Sequence, residues 1–173
     1  MPMSMKVSTF AIKIWRGFSM AVVLVAAGFS YSVLPESVGV HFDGKGLPDV
    51  FMSKSVVFYI AVAIILVNNV IILNLSKQVP KLPNELLPIP NQVEWGSSRT
   101  LLNEHFKNWF YCIMAAINTV LALTILALGN VNSTQFKYKL ADYEWLGYFA
   151  IITFFLIVVS LPVVLLFKPK TEN

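Results

Sequence analysis

Four stretches of this chain run without a single charged residue for about the length that a helix needs to cross a lipid bilayer. They extend from Gly17 to Pro35, from Ser55 to Ser76, from Asn108 to Gly129 and from Trp145 to Phe167. Charged residues bound them closely: Arg16 and Glu36, Lys54 and Lys77, Lys107, and Glu144 and Lys168. At a rise of about 1.5 Å per residue, some 20 apolar residues span a hydrocarbon core of about 30 Å. Lipid offers no hydrogen bonds, so a crossing segment must satisfy its own backbone, and a helix does. The sequence therefore predicts an all-α fold, an integral membrane four-helix bundle, with residues 1–173 as one membrane domain.

Composition agrees. Only 13% of the residues are charged, 57% are hydrophobic, and the mean hydropathy is +0.69. Soluble domains carry roughly 25% charged residues, so this chain has too few to cover a water-facing surface. The bilayer itself is the first expected partner. The net charge of +4 is scattered over loop ends and makes no basic patch for nucleic acid. Cys112 is the only cysteine and sits in an apolar run, where it acts as a small hydrophobe.

The first stretch has a rival reading as a signal peptide. Lys6, Lys13 and Arg16 precede it, and Ala26, Ala27 and Gly28 are small, as at a cleavage site. A retained helix is the better reading, because the apolar run continues to Leu34.

Orientation follows from Lys and Arg in the short connections. Nine lie in the N-terminal tail, the second loop and the C-terminal tail, against four at Lys45, Lys54, Lys137 and Lys139. Both termini are expected inside, with residues 36–54 outside. Trp15, Trp109 and Trp145 mark ends of the stretches, where aromatic belts form.

The first loop is rich in turn formers: Gly39, Gly44, Gly46 and Pro48. It reads as a compact cap over the outer ends of the first two spans. The second loop opens with Pro80, Pro83, Pro88 and Pro90, which favour an extended path. From Ser98 a helix is expected to restart. Leu102, Phe106 and Trp109 or Phe110 share one face, which reads as an amphipathic lead-in lying on the membrane surface.

Candidate chemistry is sparse. His41, Asp43 and Asp49 share the first loop. In an extended strip His41 and Asp43 point the same way and could hold a metal or a small cation. Two or three ligands fall short of a complete shell, however, and aspartates in such loops commonly cap turns. The expectation is no metal and no cofactor. His105 lies in the second loop, beyond the membrane from His41, and is expected near lipid headgroups. No triad, HExxH or phosphate loop is present, and the chain reads as no enzyme.

Within the spans the polar side chains are amides: Asn68, Asn69 and Asn74 in the second and Asn118 in the third. No Asp, Glu, Lys, Arg or His lies there, which counts against a proton-coupled transporter. Counting depth from the shared loop, Asn118 and Asn68 or Asn69 reach similar heights, so a hydrogen bond across the two spans is expected. Pro162 is expected to kink the fourth span, and Gly17 with Ala21 to allow close packing in the first.

Leu34-Pro35-Glu36, Val40-His41-Phe42-Asp43, Gly46-Leu47-Pro48-Asp49 and Ser53-Lys54 together resemble the DUF1648 domain, which carries these features between its first two spans. Ile89-Pro90-Asn91 with Trp95 resembles a patch that follows the second span in many members. The likeness covers about residues 15–110. Gly39 departs from the pattern, where a proline often precedes the histidine by two residues. The resemblance implies a bacterial cytoplasmic membrane. SdpI-type immunity proteins, which resist a secreted peptide toxin, are the best-described relatives, but the distinct C-terminal domain that they carry is not recognisable here.

The expected function is a non-enzymatic membrane protein that binds a ligand, protein or peptide through the outer loop, as a sensor or immunity-like factor. Its expected binding residues are His41, Asp43, Gly46, Pro48, Asp49, Lys54, Asn91 and Trp95. The alternative is a small permease or an accessory subunit of a membrane complex, which would need polarity lining the spans.

Overall fold

The computed structural model describes residues 7–133 and 139–169. Lys6, Lys137 and Lys170, which entered the orientation argument, lie outside the described residues. Four long helices form: α1 (Val7–Val33), α2 (Lys54–Gln78), α4 (Arg99–Asn132) and α5 (Trp145–Leu166). Each is long and apolar enough to cross a membrane. The chain is a multi-pass membrane protein. A short helix, α3 (Gln92–Ser97), precedes α4.

The helices outrun the charge-free stretches. α1 begins at Val7, ten residues before Gly17, so Lys13 and Arg16 are helical. It stops ahead of Pro35, whose ring disfavours helical backbone in the residue before it. α4 runs unbroken for 34 residues. That is about 51 Å of helix against a core of about 30 Å. The expected surface lead-in is therefore the first turns of α4 itself. Its apolar face meets protein instead of lipid: Leu102 and Phe106 are buried with Leu87, Trp95, Leu161 and Leu165. The second loop is also tighter than an extended path. It folds into 3-10 turns at Val79–Lys81 and Asn84–Leu86 before α3. α5 continues as helix through Pro162.

α4 is the centre of the bundle, and α1, α2 and α5 each pack on it. α1 runs parallel to it: Thr9 meets Glu104 near one end, and Ser30 Oγ donates to Ile125 O near the other. α2 and α5 are antiparallel to it. Around the middle, Ala26, Ala27, Ala61 and Ala122 are buried with Val23 and Ile65. Small side chains let backbones approach, and in lipid this packing replaces the hydrophobic effect as the source of association. Gly17 plays no such part, because a Cβ there would meet nothing within 4 Å.

The helical frame carries one addition. The loop between α1 and α2 is an antiparallel hairpin, β1 (Ser37–Phe42) and β2 (Pro48–Ser53). Val38 pairs with Met52 and Gly39 with Phe51, followed by irregular register on either side of His41.

Candidate binding hairpin and polar clusters

The hairpin turn is built by its own sequence. Gly46 N donates to Asp43 O at 2.9 Å, and Asp43 N to Leu47 O at 2.9 Å. Gly46 has φ +77°, the left-handed conformation that closes a three-residue hairpin loop and favours glycine. Asp43 Oδ1 accepts from Lys45 N and Leu47 N, both at 2.8 Å. Its carboxylate is thus spent on the turn and does not join His41.

His41 instead faces Asp49 across the strands, with Nδ1 2.5 Å from Oδ1. A carboxylate only accepts, so Nδ1 is the donor in this contact. Both side chains are exposed. Among the described residues no group of three or more His, Cys, Asp or Glu converges on one point. Lys54 closes the base of the hairpin, with Nζ 2.7 Å from Glu36 Oε1 and over the Tyr31 ring.

The two edges of the hairpin differ. On the β1 side, Asn132 at the end of α4 accepts from Gly39 N at 2.7 Å and donates to Gly39 O at 3.0 Å. A side-chain amide thus serves as a short strand. Since Gly39 directs both groups outward, it forms a non-hydrogen-bonded pair with Phe51, and Phe51 must direct its own N–H and C=O out of the opposite edge. The bond from Lys54 N to Glu36 O fits the same register. Among the described residues nothing pairs with that second edge, and every residue of β2 is exposed, including Val50, Phe51 and Met52. Pro48 packs over Gly39, where a Cβ would come within 2.6 Å of the Pro48 Cβ.

Within the spans the amides meet. Asn68 Nδ2 donates to Asn118 Oδ1 at 2.9 Å and to Met114 O at 3.1 Å. Asn69 and Asn118 exchange amide hydrogen bonds at 3.0 and 3.2 Å. Asn118 is fully buried. Asn74 stands apart and donates to Val70 O in its own helix. One acceptor is left over: Asn68 Oδ1 is buried without a partner, as is Asn103 Oδ1 near the start of α4.

Asn91 and Trp95 lie at the far end from the hairpin and do not join it. They serve the last turn of α5. Asn91 Nδ2 donates to Leu166 O at 2.9 Å and to Leu165 O at 3.3 Å, and Trp95 Nε1 donates to Leu165 O at 3.1 Å. A helix end leaves its final carbonyls unpaired, and these two side chains satisfy them. Asn91 takes φ +53° to do so, a conformation that asparagine tolerates better than most residues. Lys168 Nζ lies 2.6 Å from Glu94 Oε1, and this contact holds the Glu94 carboxyl below its ordinary pKa. Arg99 grips the preceding loop through Asn84 Oδ1 and the carbonyls of Pro80 and Leu82. His105 stacks edge-on against Trp95, which places it on protein and not simply among headgroups. Asn132 and Asn84 make tertiary contacts that the sequence did not single out, and for Asn132 the signal was an amide just beyond an apolar run.

Residues 19–66 match the model of a domain of unknown function, DUF1648. Over that stretch the chain is similar to a DUF1648 domain. The domain takes in most of α1, the whole hairpin and the first half of α2. Its match ends before Asn91 and Trp95, so the patch at residues 89–95 lies outside it. No curated protein and no solved structure matches the chain.

Proposed function

We propose that this protein is a non-enzymatic binding protein of the bacterial cytoplasmic membrane. Its hairpin takes up an extended segment of a protein or peptide partner by strand addition to β2. The observation that carries the reading is the open edge at Phe51, opposite an edge already filled by Asn132. An unpaired edge offers main-chain hydrogen bonds to a new strand, and exposed side chains beside it supply selectivity. The Lys/Arg bias puts both termini inside and the hairpin outside, where a secreted peptide would meet it, in keeping with a sensor or immunity-like role. The permease alternative is less well supported, because Asn68, Asn69 and Asn118 are turned on one another.

A photo-crosslinking residue at Val50 tests the reading in intact cells. An adduct is expected that survives Phe51→Ala and disappears with Phe51→Pro. Proline removes the outward N–H yet suits an edge strand, so the fold should hold. An adduct insensitive to Phe51→Pro would reject strand addition. For orientation, cysteines placed at Lys45 and Lys81 in a Cys112→Ala background are treated with an impermeant thiol reagent. Labelling at 45 and not at 81 is expected, and the reverse pattern would put the hairpin inside.

A further inference from the structure

At the end of the bundle away from the hairpin, α1 and α4 bring two cations to one aromatic ring. Arg16 Cζ lies 4.5 Å from the centroid of Tyr111, and Lys107 Nζ lies 5.8 Å from the same centroid. Tyr111 is buried, Arg16 half-buried and Lys107 exposed. Among the described residues neither cation forms an ion pair with a carboxylate. Two carboxylates of this end are engaged elsewhere: Glu104 accepts from Thr9 Oγ1 at 2.6 Å, and Glu94 pairs with Lys168. The ring face attracts both cations but carries no net charge. Two like charges thus share one ring, and among the described residues no carboxylate is paired with either.

Their depth says what the counter-ion is. Arg16 directly precedes Gly17, where the first charge-free stretch begins, and Lys107 directly precedes Asn108, where the third begins. At such a boundary lipid phosphates are the abundant anions. Ile14 and Phe18 flank Arg16 and are exposed apolar side chains, a surface that acyl chains cover. We propose that Arg16 and Lys107, positioned by Tyr111, seat the phosphate of an anionic phospholipid. The guanidinium offers paired donors to two phosphate oxygens, and the ammonium adds a point charge. This seat is independent of the partner-binding role of the hairpin.

The test uses the full chain purified in a non-ionic detergent, with thermal unfolding followed as phosphatidylglycerol is added. A saturable rise in Tm is expected with phosphatidylglycerol, and none with phosphatidylcholine or inorganic phosphate. Arg16→Gln and Lys107→Gln should each weaken the apparent phosphatidylglycerol affinity about five-fold, the worth of one basic residue near an anionic surface. Lys81→Gln, at a position outside this cluster, should leave it unchanged. If Arg16→Gln does not fold, the exposed Lys107 carries the test alone. Unchanged affinity in Lys107→Gln overturns the proposal, as does an equal response to phosphatidylcholine. A saturable response to inorganic phosphate at equal concentration would make this a site for the free anion and not for lipid.

Discussion

Asn132, the last residue of α4, holds both backbone groups of Gly39 through its side-chain amide, at 2.7 and 3.0 Å. The central helix is thereby tied to the first strand of the hairpin, and Gly39 is buried under the contact. Asn132→Leu should leave a buried N–H and C=O without partners and cost about 1–3 kcal/mol in detergent unfolding. Gly39→Ala should destabilise as well, since its Cβ would meet that of Pro48 at 2.6 Å. A wild-type unfolding curve for Asn132→Leu would remove this tie as a stabilising element.

The turn makes a sharper comparison between two glycines. Gly46 has φ +77°, whereas a Cβ at Gly44 meets nothing within 4 Å and its φ is not positive. Gly46→Val should therefore lose protease resistance in spheroplasts, with a strain of about 1–3 kcal/mol. Gly44→Ala and Lys45→Ala should not. Equal resistance of all three would show that the turn is not an ordered element.

The amide cluster of α2 and α4 lends itself to double-mutant cycles. Asn68→Leu and Asn118→Leu, and separately Asn69→Leu and Asn118→Leu, should show coupling of about 0.6–2 kcal/mol in detergent stability. The gain is modest because separated helices also find polar partners in the membrane. Additive effects in both cycles would mean that the amides do not stabilise one another, and would revive the permease alternative.

Trp95 and Asn91 cap α5, so their loss should loosen that helix before the rest. Trp95→Phe keeps an aromatic ring in the core but removes the donor to Leu165 O and part of the buried indole. It should cost about 2 kcal/mol, and Asn91→Ala about 1 kcal/mol. Faster amide exchange at residues 161–166, with residues 114–125 unchanged, is the expected pattern. Uniform exchange along the chain would mean that the cap does not act locally.

The Glu94–Lys168 pair predicts a small acid dependence. The folded-state pKa of Glu94 is depressed by Lys168. Its contribution is therefore present above the ordinary carboxylate pKa and lost as pH falls through the lower, folded value. The pair is solvent-exposed, so the effect is slight and shrinks with salt. Glu94→Gln should flatten the stability profile between about pH 5 and 3, and a profile identical to wild type would show that the pair contributes nothing.

How much of this was legible beforehand depends on the range of each interaction. The turn could be read from Gly44, Gly46 and Pro48 because a turn is set by its own few residues, but both Gly44 and Gly46 suited positive φ and only Gly46 adopts it. The pairing of Asn118 with Asn68 or Asn69 followed from depth alone, since antiparallel neighbours joined on one side of the membrane share a common scale, and the structure pairs it with both. The roles of Asp43, Asn91 and Trp95 could not be read. Asp43 could face His41 or its own backbone, and only the bulged strand geometry put Asp49 opposite His41. Asn91 and Trp95 act on carbonyls some seventy residues away.

The sequence by itself determined the solvent and the four spans. Charge-free stretches of about 20 residues suit helices in hydrocarbon, because a helix bonds every backbone group within its own segment. The tertiary structure alone decided which helix is central, that α4 continues unbroken into the loop side, and that Asn132 fills one edge of the hairpin while the other stays open. Those outcomes turn on side chains far apart in sequence meeting in space. Local periodicity, which sees only a few residues at a time, carries no information about them.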